Sequence, residues 1–257
     1  MDATLRRAPA SSATSVRARC CASAPAVEPH RAARLLRSRH DVAPPRSAPL
    51  LQVARAADVV VDLPPGHESV NVVIPWSSRR FQYTSKHQAR PARGTLEIGG
   101  RRVAIGGDAG DAWGVLDVGR GRWPYRTRWN WGGGAGRSAC GRHVVGLQVG
   151  GKWTEGTGFT ENGVIVDGRV TKLGDELAWD YSWERPMQPW RLRDPGGRLD
   201  LVLEPRFDRH SKVEALVLGT EVHQVFGRWS GRVVDDAGRE IALEGIQGFA
   251  EESRSRW

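Results

Sequence analysis

Aromatic side chains are absent from the first 75 residues of this 257-residue chain: none of its 19 Phe, Tyr and Trp residues precedes Trp76. Lysine is scarce, 4 against 34 arginines, and cysteine scarcer, with Cys20 and Cys21 near the start and Cys140 alone in the rest. One cysteine cannot close an internal disulfide, so the sequence points to a reducing, cytoplasmic compartment, with Cys140 as a small residue beside glycines. An apolar secretion-signal core is missing, as is any run of 18 apolar residues, so no membrane-spanning helix is expected. The histidines at 67, 87, 143, 210 and 223 lack His-x-His or His-x-x-x-His spacing. Neither a metal nor a cofactor is therefore expected.

Acidic charge is also in short supply, giving a net charge of +9 and a pI near 10.3. The excess is local. Residues 1–56 hold ten arginines against Asp2, Glu28 and Asp41, a net of +7; the other 201 residues carry 28 basic and 26 acidic side chains, a net of +2. A groove that binds nucleic acid by counterion release needs many clustered cations, so nucleic acid is not expected as a partner. The segment 1–56, rich in Ala, Arg, Ser and Pro, cannot bury enough apolar surface to offset its ordering entropy. It reads as a disordered leader. Its composition fits an organelle transit peptide; a start-site or reading-frame error in an Arg- and Ala-heavy genome is the preferred reading.

From residue 57 to 257 the chain reads as one β domain of short alternating runs separated by turn residues. Thr95–Ile98 and Arg101–Ile105 flank Gly99-Gly100, a two-residue hairpin turn. Val164–Val166 lies between Asn162-Gly163 and Asp167-Gly168, and Trp190–Arg193 and Arg198–Glu204 flank Asp194-Pro-Gly-Gly197. Arg232–Val234 and Glu240–Glu244 flank Asp235–Gly238. Leu199, Leu201 and Leu203 give one strand an apolar face, as do Ile241 and Leu243. No helical period persists beyond two turns, so the fold class is all-β, an antiparallel meander.

The stretch Arg122–Arg137, RWPYRTRWNWGGGAGR, is the most concentrated. Trp123, Tyr125, Trp129 and Trp131 share one parity, and Arg122, Arg126, Arg128 and Asn130 the other, so a strand would face the aromatics inward and the arginines out. The glycines lack the lysine of a phosphate-binding loop and precede another strand, His143–Val149, instead of a helix. Gly132–Gly136 is expected to form a tight bend beneath bulky tryptophans.

Several separated motifs resemble a bacterial family known as domain of unknown function 2804: Val73–Ser77, Phe81–His87, Asp117–Tyr125, Trp129–Gly132, Gly156–Asn162, Asp167-Gly-Arg169 with Lys172, His223–Gly227, and Gly248–Glu251 with Trp257. Members of that family carry a further N-terminal portion with aromatic-rich strands, which residues 1–56 do not resemble. A looser likeness, in Trp-rich strands and long meanders, is to lipocalin-like tocopherol cyclases and carotenoid hydratases. It implies a lipocalin-like barrel or an incomplete double barrel, with a cavity for an apolar ligand.

Two functions follow as expectations. In the first, the protein binds a hydrophobic small molecule in a pocket lined by Trp123, Trp129 and Trp131, with Asn162 and His223 at its polar end. In the alternative, it is a hydratase-, cyclase- or hydrolase-type enzyme that uses a buried carboxylic acid, with Glu161 and Asp117 as catalytic candidates and Glu251 as a third. Gly156 and Gly158 would let the backbone pass close to Trp129 and Trp131. The bland outcome for Glu161 is a salt bridge to Arg120 or Lys172. Oligomeric state cannot be read from the sequence.

Overall fold

The structure, a computed structural model, describes residues 32–33 and 54–256, which form two antiparallel sheets. The first sheet has six strands: β1 (Ala32–Ala33), β2 (Ala54–Asp62), β3 (Val70–Ser77), β4 (Arg80–Ile98), β5 (Arg101–Ile105) and β6 (Trp113–Gly121). The second has nine: β7 (Arg126–Arg137), β8 (Val144–Gly151), β9 (Gly163–Val166), β10 (Arg169–Lys172), β11 (Ala178–Asp180), β12 (Trp190–Arg193), β13 (Leu199–Ala215), β14 (Leu218–Val234) and β15 (Glu240–Arg256). No helix among the described residues is long and apolar enough to cross a membrane.

The long strand β4 organises the smaller sheet. Its first part pairs with β3 and β6, its second with β2 and β5. Between them the register against β6 shifts from His87 to Arg90, and Ala89 takes a φ of 55°. Such a bulge bends a strand and re-aims its side chains. Here it presses Gln88 and Ala89 onto β8, where a Cβ on Gly146 would stand 2.9 Å from the Ala89 Cβ. Glycine is the residue that permits that approach.

The nine-stranded sheet runs in the order β10-β9-β8-β7-β15-β14-β13-β12-β11 and curls as a half-barrel, with no pairing between its two outermost strands. Alternating apolar residues fill its interior: Val145, Leu147 and Val149 of β8, Leu199, Leu201 and Leu203 of β13, Trp229 of β14, and Ile241 and Leu243 of β15. Trp190 and Trp229 are fully buried there. The inside of the half-barrel is a packed core, so a ligand cavity has to be sought elsewhere.

The expected hairpins form at Gly99-Gly100, Asp194–Gly197 and Asp235–Gly238. Asp167-Gly168 closes β9 onto β10 with φ values of 50° and 84°, the left-handed conformations a two-residue hairpin turn requires. Asn162-Gly163 makes no turn of this kind; Gly163 opens β9.

Gly132–Gly136 does not bend. These residues run extended within β7, and all but Ala135 are glycines because the strand is crowded on both faces. A Cβ would lie 3.0 Å from the Phe249 ring at Gly133, 3.0 Å from Trp229 Cδ1 at Gly134 and 2.6 Å from Ile246 Cγ2 at Gly136. Trp123 and Tyr125 precede the strand, in the β6–β7 connection. Asn130, on the face expected to meet solvent, is buried and donates to Tyr181 Oη and to the Glu251 carbonyl. The disorder expected of residues 1–56 falls outside the described residues, except that Ala32–Ala33 pairs with Asp62 and Val61 and that β2 begins at Ala54.

Candidate functional site

The other face of β7 meets the smaller sheet, and a partly enclosed cleft of about 240 Å³ lies between them. Trp129 and Trp131 project into it from β7, two residues apart on one face. Trp123 joins them from the β6–β7 connection and Trp153 from the loop after β8. Ring centroids of Trp123 lie 5.7 Å from Trp129 and 5.5 Å from Trp153, and Trp76 caps the group 5.0 Å from Trp123. The tilted and edge-on arrangements suit the quadrupoles of the rings.

Polar groups enter through this aromatic wall. From β4 come Gln82, Thr84 and Lys86, which alternate along one face of the strand. Lys86 is 6% exposed. Its Nζ donates to Asp117 Oδ2 at 2.7 Å, lies 3.4 Å from Glu161 Oε2 and sits 4.2 Å over the Trp131 ring. Asp117, on β6, also accepts from Thr84 Oγ1 at 2.8 Å.

Glu161 is 2% exposed. Its Oε1 accepts from Trp153 Nε1 at 2.6 Å, whereas Oε2, within ion-pair distance of Lys86, has no hydrogen bond. Burial pushes its carboxyl above the usual carboxylate range, outweighing the opposing pull of the Lys86 ammonium and the Trp153 N–H. Room for this carboxyl comes from Gly150, where a Cβ would fall 2.1 Å from Glu161 Oε1. Glu251, on β15, accepts from Trp129 Nε1 at 2.9 Å and from Gln224 Nε2 at 2.8 Å. Its carboxyl is raised too, again chiefly by burial. Three carboxyl groups thus share the cleft with one ammonium, and the two deepest favour their protonated forms.

Of the residues singled out in the sequence, Trp123, Trp129, Trp131, Asp117, Glu161 and Glu251 converge here. Two others do not. Asn162 is held by the backbone, accepting from the Gly150 N–H at 2.7 Å and donating to the Asp175 carbonyl at 3.2 Å. His223 lies on β14 outside the cleft lining, its Nδ1 2.7 Å from Asp208 Oδ2 and its ring stacked on His210.

The expected salt bridge from Glu161 to Arg120 or Lys172 gives way to Lys86. Lys172 is occupied instead by the carbonyls of Thr160 and Asn162. Gly156 and Gly158 approach nothing bulky; with φ of 72° and 78° and open space around each, they are turn residues. Lys86, Trp153 and Gly150 were not foreseen. A signal for Lys86 exists in the polar alternation of Gln82, Thr84 and Lys86, an inward-facing stripe no apolar core would accept unless it met partners.

No curated protein sequence matches the chain. Among solved structures, kievitone hydratase from Nectria haematococca is 11% identical with a TM-score of 0.45, over 79% of this chain and 61% of that one. CghA with Sch210972 is 12% identical with a TM-score of 0.32, over 78% and 64%. The chain spans less than two thirds of either protein. The sequence profile described as Domain of unknown function (DUF2804) matches residues 47–257, a range that holds both sheets from β2 onward and every residue of the cleft. The chain belongs to the DUF2804 family.

Proposed function

We propose that the cleft binds a small molecule with an apolar body and an oxygen-bearing end, and that Glu161, held protonated, is its proton donor. The observation behind this is the Glu161 carboxyl, buried beside the cleft with one oxygen bound to Trp153 and the other without a hydrogen bond. A carboxylic acid that keeps its proton near neutral pH can donate it to a carbonyl, hydroxyl or ether oxygen. The carboxylate left behind stays beside the Lys86 ammonium and the Trp153 N–H, which lowers the cost of the charge that develops. Asp117, its side chain 37% exposed and bonded to the same Lys86, is the solvent-reaching carboxylate of the group and offers a route for the proton to return. The four tryptophans take the apolar body. The reaction class is an acid-promoted elimination that breaks a C–O bond to leave C=C, its reverse in which an oxygen adds to C=C, or a cyclisation started by protonation.

A packing reading competes with this one, because about 240 Å³ is smaller than the roughly 300–1,000 Å³ of most ligand sites. A thermal-shift panel of small cyclic and unsaturated alcohols, ketones and lipid-like quinones separates the two. A binder raises the melting temperature of the wild type in proportion to ligand occupancy. Glu161→Gln keeps the shape and removes the acid: binding should persist in part while turnover of any bound compound stops. A panel in which nothing stabilises the wild type supports the packing reading.

A further inference from the structure

A second cluster, outside the lining of the cleft, lies on the long ribbon of β13 and β14. Two residues beyond the core residue Val225, on the same face of β14, stands His223, and Glu221 follows two residues further. Across the ladder His223 is directly opposite His210. The two imidazoles stack with centroids 4.2 Å apart and planes 8° apart. One donor atom from each of His210, His223 and Glu221 falls within 4.8 Å of the others.

The partners of these groups select which atoms remain available. Asp208 Oδ2 lies 2.7 Å from His223 Nδ1, while the other carboxylate oxygen of Asp208 is buried with no hydrogen bond. A carboxylate on Nδ1 places the proton there and leaves Nε2 as the bare, basic nitrogen, the arrangement that orients an imidazole for a metal. On Glu221, Lys212 takes Oε2 at 3.2 Å, and His210 Nε2 meets Oε1 at 3.1 Å. Donor bonds of roughly 2.0–2.2 Å put tetrahedral ligands roughly 3.3 Å apart, and the His210–Glu221 pair already has that spacing. The edge of the Trp183 ring packs against His223 at 4.5 Å, with the Arg254 guanidinium on the ring 3.7 Å away.

We propose that His210, His223 and Glu221 bind one divalent transition metal of the zinc class, with Asp208 as a positioning residue and a fourth coordination place open to solvent. Two imidazoles and a carboxylate suit zinc or cobalt better than calcium or magnesium, which prefer oxygen-only sets. The stacked rings need to tilt towards a common point, and His210, itself exposed near the outer part of the ribbon, has the freedom to do so.

The test is titration of the full chain with Zn²⁺ against a chromophoric chelator, and with Co²⁺ followed by its visible absorption. One equivalent should bind, and Co²⁺ should give the intense bands of a tetrahedral site. His210→Ala and His223→Ala should each abolish the uptake, Asp208→Asn should weaken it by about 10–100-fold, and His143→Ala should leave it unchanged. Melting of each variant without metal checks that it folds; if His223→Ala does not, His223→Gln and His210→Ala decide the matter. Absence of uptake by the wild type, or uptake that survives loss of either ribbon histidine in a folded variant, overturns the proposal. Unchanged affinity in Asp208→Asn overturns the positioning role.

Discussion

Burial raises the Glu161 carboxyl above the usual carboxylate range because its surroundings offer too little positive charge for the negative charge it would carry. Lys86 is the one ammonium at the cleft, and it is already bonded to Asp117 at 2.7 Å. Gly150 is the residue on which this arrangement turns, since any side chain there meets the carboxyl. Gly150→Ala is expected to drive Glu161 off Trp153 and to cost about 1–3 kcal/mol of stability by overpacking. Quenching or spectral shift of Trp153 fluorescence together with a denaturant melt checks both effects. An alanine variant with unchanged stability and spectrum would mean that Glu161 moves aside freely.

At the scale of elements, the strand pattern was legible and the sheet packing was not. Period-2 alternation in Leu199–Leu203 and turn pairs such as Asp167-Gly168 are local signals, and local signals decide hairpins. The glycine run of β7 misled because a glycine serves equally a bend and a close approach; which of the two applies depends on Phe249, Trp229 and Ile246, all far along the chain. The same dependence hid Lys86 from any reading of Glu161, since the meeting of two sheets leaves no local spacing to read. Gly248 tests this use of glycine: a Cβ there would lie 2.4 Å from the Gly133 carbonyl oxygen and 2.5 Å from Trp229 Cδ1. Gly248→Ala should destabilise by ~2–4 kcal/mol because backbone as well as side chain must shift. Gly174→Ala, in open space with an ordinary φ, should stay within about 0.5 kcal/mol of wild type. Equal melting temperatures for the two variants would contradict the crowding argument.

For the whole molecule, the buried glutamates Glu252, Glu161 and Glu251 give pH dependences that differ in sign. Glu252, fully buried on β15, takes donors from Arg254, Lys152, Arg128 and Tyr181. Although burial opposes it, these bonds depress its carboxyl from 4.5 to about 2. A depressed carboxyl adds stability that is complete above its ordinary pKa and is lost as pH falls through the folded value. Glu252→Gln should therefore destabilise at neutral pH, near the lower end of ~3–5 kcal/mol because Arg128 and Arg254 reach solvent. The gap between variant and wild type should close as pH falls from 4.5 towards 2; a gap independent of pH would rule out the charge as its cause. Glu161 and Glu251 act the opposite way. With raised carboxyls they bind more protons folded than unfolded, so their contribution falls as pH rises above the ordinary carboxylate range. The functional account rests on that proton. The direct measurement is infrared difference spectroscopy of the wild type minus Glu161→Gln across a pH titration, in the carbonyl-stretch region of protonated carboxyl groups. The account predicts a carboxylic-acid band, lost in the variant, that survives at pH values where free glutamate is ionised. A band that disappears at the ordinary glutamate pKa, with only carboxylate signal above it, would contradict it.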